Sequence, residues 1–241
     1  KKPFISAYNF LKDFSSIGAV LVFAIVVFSI YSNSLQGPFV FDDVSRIEQN
    51  ELIRLTSLNW VDLKETIASF SGRRQLSMLS FALNYYFHGY NLFGYHLVNV
   101  LFHLTNAILL YFILKTIFSL LPRRFLSSND RLIPFYSTLL WLAHPLHTQS
   151  VSYIVQRENS MATMFFLLSL FLFLKARISD NRDLSKILFV SSFCSAVMAL
   201  FSKQNAATLP VFIFLAEWFF FQELNIKWLK RNYLVVFGLI V

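Results

Sequence analysis

Cysteine and charge are scarce in this sequence. The single cysteine, Cys194, excludes an internal disulfide bond, and its apolar surroundings predict a small buried core residue. Only 14% of the residues are charged, whereas 56% are hydrophobic. That balance excludes a soluble domain of 241 residues, so the sequence predicts an integral membrane protein.

Several motifs are also absent. No A-x-A-like cleavage site follows the first apolar segment, which predicts an uncleaved membrane anchor. No Gly-x-Ser-x-Gly run is present, which disfavours an intramembrane serine protease built on Ser169 or Ser191. The net charge of +8 lies at loop ends and forms no basic stripe with interleaved aromatic residues, so we predict no nucleic-acid partner.

Apolar runs predict the membrane-spanning helices. They lie near residues 17–35, 92–114, 132–147, 159–176, 187–203 and 205–222, and a seventh opens at about residue 232. With a cytoplasmic N-terminus, 14 of the 21 lysines and arginines fall on the cytoplasmic side, as the positive-inside rule requires.

Two adjacent carboxylates, Asp42 and Asp43, follow the first span. The 28 residues from Phe14 to Phe41 carry no charge and span about 42 Å as a helix, which is enough to cross a bilayer. Gly37 and Pro38 break that helix just before the carboxylates. The acidic pair is therefore expected where the membrane ends, on the non-cytoplasmic side.

The first outer loop, residues 42–90, carries two amphipathic patterns. Apolar residues recur at helical spacing from Trp60 to Phe70, after a plausible N-cap at Asn59, and again from Leu76 to Tyr90. We expect two helices, either lying in the membrane interface or only covering the bundle.

Four polar residues of the second span, His96, Asn99, His103 and Asn106, share one side of a helix. Such a stripe has two interpretations, a functional pathway or site, and hydrogen bonding between helices.

Further polar residues are predicted on the same membrane face as the acidic pair. His144 and His147 lack a third ligand, so no metal site is predicted. Arg157, assisted by His144, His147, Arg74 or Lys203, offers contacts to an anionic headgroup. Arg157 and Glu158 also fit a simple interfacial ion pair. The candidate binding residues are Arg157, His144, His147, Arg74, Lys203 and Glu158.

These motifs resemble the GT-C superfamily of integral-membrane glycosyltransferases, specifically the transmembrane and tetratricopeptide-repeat O-mannosyltransferases and their bacterial relatives. The matching stretches are residues 31–43, 74–81, 94–99 with His103, 144–148, 156–158 and 202–203. The fold implied is an all-α polytopic bundle of GT-C type, with residues 1–241 as the N-terminal part of a longer membrane domain. Later spans and a soluble repeat domain are expected outside this sequence.

The resemblance implies transfer of a sugar, most simply mannose or another hexose, to a Ser or Thr hydroxyl of an acceptor protein. The donor would be an undecaprenyl- or dolichyl-phosphate sugar. Asp43 is the first choice for the general base and Asp42 the second. We expect a bacterial inner membrane with a periplasmic site, or alternatively the endoplasmic reticulum with a lumenal site.

Two functions of other classes remain open from the sequence. A transporter or flippase would use the polar stripe as its path, although no inverted repeat is visible. A membrane scaffold would need neither Asp42 nor Asp43.

Overall fold

The computed structural model describes residues 16–70, 74–122 and 128–232, and within these ranges the regular structure is helical without a strand. The predicted all-α polytopic bundle is confirmed. The predicted seventh span near residue 232 falls largely on residues outside this part of the chain. The helices are α1 (Ser16–Tyr31), α2 (Trp60–Ser69), α3 (Gln75–His88), α4 (Leu92–Leu120), α5 (Ile133–Leu142), α6 (His147–Ser152), α7 (Arg157–Ile178), α8 (Arg182–Ser202) and α9 (Leu209–Ala216).

Five helical stretches in the described ranges are long and apolar enough to cross a bilayer. They are Ser16–Ser34, Leu92–Leu120, Ile154–Ile178, Arg182–Ser202 and Gln204–Phe221. Large apolar side chains on their outer faces are exposed, including Ile25 of α1 and Phe193 of α8. Such surfaces are typical of lipid contact. Cys194 is exposed on the same helix, so its predicted core position is wrong.

The helix in the predicted span at 132–147 is too short to cross a bilayer. Helix α5 has 10 residues, about 15 Å, and ends before His144 and Pro145, where a proline disfavours further helix. Its Phe135 stacks on Phe23 in the middle of α1, and its last carbonyl, at Leu142, bonds His103 of α4. Helix α5 nevertheless leads the chain back toward the end of the bundle where Asp43 lies.

Helices α1 and α4 form the first core. Ala19, Phe23, Val27 and Tyr31 are spaced by four residues, so they form one buried seam along α1. This seam packs against the α4 residues Val100, Ala107 and Tyr111. The contact fixes the end of α1, and with it the start of the acidic segment.

The outer loop forms the two predicted helices. The Asn59 side chain accepts a hydrogen bond from the Asp62 amide at 2.8 Å, so the predicted N-cap of α2 is confirmed. Helix α3 turns its polar face inward: Ser77 donates to the carbonyl of Ser202, and Asn84 is buried. Its apolar face, with Leu76 and Leu79, lines an outer groove, an orientation suited to a lipid boundary.

Candidate functional site

The two adjacent aspartates occupy different environments. Asp43 is 1% exposed, and its two carboxylate oxygens accept the amides of Val155 at 2.7 Å and Val40 at 3.2 Å. Asp42 is exposed, and its amide donates to the hydroxyl of Tyr153 at 3.0 Å. The pair therefore divides into a carboxylate bound by backbone groups and one that faces outward.

Burial raises the pKa of the Asp43 carboxyl above its ordinary value, while hydrogen bonds from backbone amides, chiefly that of Val155, lower it. An ionised Asp43 binds these amides best, because a carboxylate is acceptor-only. The contact with Val155 joins the segment after α1 to the start of α7. Asp43 thus holds two distant parts of the chain together.

A cluster of charged side chains forms around Glu158, and it includes Arg46, which follows Asp42 by one helical turn. The Glu158 carboxylate is buried and accepts Arg46 Nη1 at 3.0 Å and Arg74 Nη1 at 2.7 Å. The arginines are 39% and 32% exposed, so each keeps part of its guanidinium accessible. We call Arg46, Arg74, Glu158 and Lys203 the basic cluster. Three cationic side chains and one carboxylate make this cluster net positive.

Lys203 belongs to this cluster through its electrostatics. Burial lowers the pKa of its ammonium, Glu158 raises it, and Arg74 and Arg46 lower it again. The segment between α8 and α9 that carries Lys203 therefore lies close to the other three residues.

Three residues of the basic cluster border a cavity of about 410 Å³. Arg46, Arg74 and Glu158 form its charged wall, and Leu52, Phe70 and Met78 are among its apolar lining residues. Arg46 follows Asp42 by four residues on helical backbone, a spacing that places two side chains next to each other. The outward-facing Asp42 thus lies about one turn from Arg46, a residue of the cavity wall, although Asp42 itself does not line the cavity.

Arg157 lies inside the protein and has 0% exposure. Its guanidinium donates to Asn99 Oδ1 and Asn84 Oδ1, both at 2.8 Å, and to the carbonyls of Tyr95 and Ser80. It also lies over the Phe81 ring at 4.5 Å. In this structure Arg157 ties helices α3, α4 and α7 together and does not line the cavity.

The two histidines lie apart from the basic cluster. His144 is exposed in the loop after α5, and His147 packs against Trp141 with ring centroids 4.4 Å apart. Burial lowers the pKa of His147, and the nearby His144 lowers it further. Neither lines the cavity, and no group of three metal-ligating side chains occurs within the ranges described.

The polar stripe of α4 bonds to neighbouring segments. His96 bonds the Gly37 carbonyl, His103 that of Leu142, and Asn106 that of Ser160. Asn99 donates to the carbonyls of Val151 and Ile154. The structure therefore shows the stripe hydrogen-bonded to neighbouring segments, the second of its two interpretations. These polar side chains are engaged inside the bundle, so the stripe gives no support to a transport pathway.

Known proteins that resemble the chain share one activity in their names. Over 181 residues it is 34% identical to protein O-mannosyl-transferase TMTC1 of Homo sapiens, covering 71% of this chain and 19% of that protein. Over 192 residues it is 34% identical to protein O-mannosyl-transferase tmtc2 of Xenopus laevis, covering 76% and 22%. The chain is homologous to the TMTC protein O-mannosyl-transferases.

The human TMTC2 protein aligns over more of this chain, 87%, at 31% identity. The chain spans about a fifth to a quarter of the length of these TMTC relatives. No protein-family model and no solved structure matches it.

Of the candidate residues chosen from the sequence, the structure brings together Arg74, Glu158 and Lys203. Asp42 lies one helical turn before Arg46, which also binds Glu158. Sequence reasoning missed two contributors to this candidate site, Arg46 and Tyr153. The sequence could have indicated Arg46, because it follows Asp42 by one helical turn. It could not have indicated Tyr153, because its contact with Asp42 joins residues 111 positions apart.

Proposed function

We propose that this protein is a membrane glycosyltransferase that moves a hexose, most simply mannose, from a polyprenyl-phosphate donor to a Ser or Thr hydroxyl of an acceptor protein. The observation that carries the proposal is a net-positive cavity whose wall includes Arg46, one helical turn after the exposed Asp42. The names of the TMTC relatives support mannose as the sugar and protein as the acceptor.

Asp42 is the general base of this proposal, which reverses the order favoured by the sequence. Both oxygens of Asp43 already accept backbone amides, whereas Asp42 is exposed and bonds Tyr153 through its backbone. Asp42 takes the proton of the acceptor hydroxyl while that oxygen attacks the anomeric carbon. The bond between the anomeric carbon and the phosphate oxygen breaks, and polyprenyl phosphate leaves.

The basic cluster has the chemistry to hold the donor phosphate. The accessible parts of Arg46 and Arg74 suit phosphate oxygens, and Lys203 adds a point charge. All three stabilise the negative charge that develops on the leaving phosphate. Glu158 accepts one arginine on each carboxylate oxygen and so orients both. The predicted phosphate contacts of Arg157, His144 and His147 form no part of this proposal.

Apolar surface next to the cavity favours a lipid-linked donor. Gln204 lines the cavity and also an apolar pocket with Val197 and Leu200 of α8. The same two residues line a larger apolar groove of about 680 Å³ between α8 and α9. An isoprenoid tail fits such a path along a membrane helix, with its phosphate at the basic cluster.

The charge pattern of the sequence assigns the site to one membrane face. In the sequence, 14 of the 21 lysines and arginines fall in segments assigned to the cytoplasmic side, which assigns the site to the non-cytoplasmic side. We propose the periplasmic face of a bacterial inner membrane, with the lumenal face of the endoplasmic reticulum as the alternative.

The experiment is sugar transfer by the full-length protein in liposomes, from a radiolabelled polyprenyl-phosphate hexose to acceptor protein. We expect transfer by the wild type, a loss of at least about 100-fold in Asp42→Asn, and unchanged transfer in Asp180→Asn. Asp180 is an exposed carboxylate in the turn between α7 and α8, at the other end of the bundle. Equal transfer by both variants contradicts the role of Asp42, and no transfer by the wild type contradicts the proposed function.

A further inference from the structure

The backbone at Phe41, just before Asp42, adopts an uncommon conformation. Its φ is +49°, a value that residues with a side chain rarely adopt. The Phe41 side chain is 86% exposed, so burial does not stabilise this conformation. Uncommon backbone conformations persist where surrounding contacts hold them. The contacts of this segment therefore determine the backbone position from which the Asp42 side chain extends.

Tyr153 supplies two of these contacts. Its hydroxyl accepts the Asp42 amide at 3.0 Å, and its ring meets that of Phe41 edge to face, with centroids 6.3 Å apart. Asp43 adds contacts from its carboxylate to the amides of Val40 and Val155. Within the segment, Ser45 donates to the Asp42 carbonyl and the Val44 amide donates to the Phe41 carbonyl. Among these residues, Tyr153 contacts both Phe41 and Asp42 with its side chain.

Tyr153 is itself fixed from the core. It follows α6 in extended conformation, and Asn99 of α4 donates to the carbonyls of Val151 and Ile154 on either side, both at 3.1 Å. The Asn99 oxygen accepts the buried guanidinium of Arg157. A chain of hydrogen bonds thus runs from the buried arginine to the connection that carries Tyr153.

We propose that Tyr153 is the positioning residue for Asp42, a role that rests on the proposed function of this site. Its hydroxyl fixes the Asp42 amide, and since the side chain leaves the same residue, it fixes the point from which the carboxylate extends. A displacement of about 1 Å in a reacting group can lower a rate by about 100-fold. Tyr153 acts on the reaction through Asp42 and needs no contact with donor or acceptor.

The test removes only the hydroxyl. In Tyr153→Phe we expect kcat for sugar transfer to fall by about tenfold to 100-fold, with the KM for the polyprenyl-phosphate hexose unchanged, because the basic cluster is untouched. The matched control is Tyr136→Phe, which removes the hydroxyl of an exposed tyrosine on α5. We expect that variant to keep the wild-type kcat and KM.

A second measurement does not depend on activity. Amide hydrogen exchange at Asp42 should be roughly fivefold faster in Tyr153→Phe, the effect of losing about one ordinary hydrogen bond, and unchanged in Tyr136→Phe. Faster exchange with lower kcat supports the proposal. Wild-type kcat in Tyr153→Phe overturns it, and so does unchanged exchange at Asp42. If the wild type transfers no sugar, the proposed function is wrong. The exchange measurement still shows whether Tyr153 holds the Asp42 amide.

Discussion

Arg157 shows how a residue predicted for ligand binding can serve the interior of a protein. An arginine at 0% exposure loses its hydration, so its donors need protein acceptors. Here two asparagine oxygens and two backbone carbonyls supply them. The planar fork of Arg157 orients Asn84 and Asn99, and Asn99 in turn fixes the connection before α7.

Replacing Arg157 by lysine is expected to lower the free energy of unfolding by about 3 kcal/mol. Lysine keeps the charge but cannot bond all four acceptors from one planar group. The measurement is the thermal unfolding midpoint in detergent micelles, compared with Arg182→Lys at an exposed position at the start of α8. If the two substitutions lower the midpoint equally, Arg157 has no special structural role.

The sequence could identify the acidic pair and most of the basic cluster. Asp42 and Asp43 directly follow a 28-residue uncharged segment, so composition predicts their position at a membrane boundary. The sequence could not show that Asp43 is buried and Asp42 exposed, because the amides that bind Asp43 include that of Val155, 112 residues away. It could not exclude Arg157 from the cavity either, since burial depends on how three helices pack.

At the scale of elements, α7 and α8 are joined by reciprocal hydrogen bonds. Ser169 donates to the carbonyl of Ser192, and Ser192 donates to the carbonyl of Ser169, each at 2.8 Å. Both residues are buried, and small side chains let the two backbones approach closely. Ser169 is therefore a packing residue between two membrane helices, and a role as protease nucleophile finds no support in these contacts.

The variants Ser169→Ala and Ser192→Ala should each lower the free energy of unfolding by about 0.6 kcal/mol, a typical value for a hydrogen bond between membrane helices. Ser191 is adjacent in sequence and only partly buried, so Ser191→Ala is the control and should have a smaller effect. Unfolding in mixed micelles with increasing denaturant measures all three. A loss in Ser191→Ala as large as in the other two would contradict the assigned contact.

The helices themselves were largely predictable, because long apolar runs and the Asn59 N-cap are local signals. The segment 132–147 was not, because an apolar run does not show whether its helix covers the full bilayer or packs on neighbours for half of it. The inward polar face of α3 also needed the structure. Its partner, the carbonyl of Ser202, ends a helix 125 residues later.

At the scale of the whole molecule, the charge distribution predicts which end of the bundle faces the cytoplasm. Since Cys194 is the single cysteine, replacing it by serine gives a background for cysteine labelling. In that background Ser45→Cys, near Asp42, should react with a membrane-impermeant maleimide from the non-cytoplasmic side. Asp180→Cys, in the turn between α7 and α8, should react from the cytoplasmic side. The reverse pattern would contradict the orientation.

In the proposed mechanism, one end of the bundle joins a phosphate-binding cluster to a general base. The most direct measurement is the kinetics of sugar transfer by the full-length protein as the polyprenyl-phosphate hexose concentration is varied. Lys203→Gln, which removes one charge of the cluster, should raise the donor KM about tenfold, the effect of losing one charge-assisted contact. Asp42→Asn should instead abolish kcat, and Lys186→Gln, on exposed α8 surface, should change neither constant. Wild-type KM in Lys203→Gln together with wild-type kcat in Asp42→Asn would contradict the account.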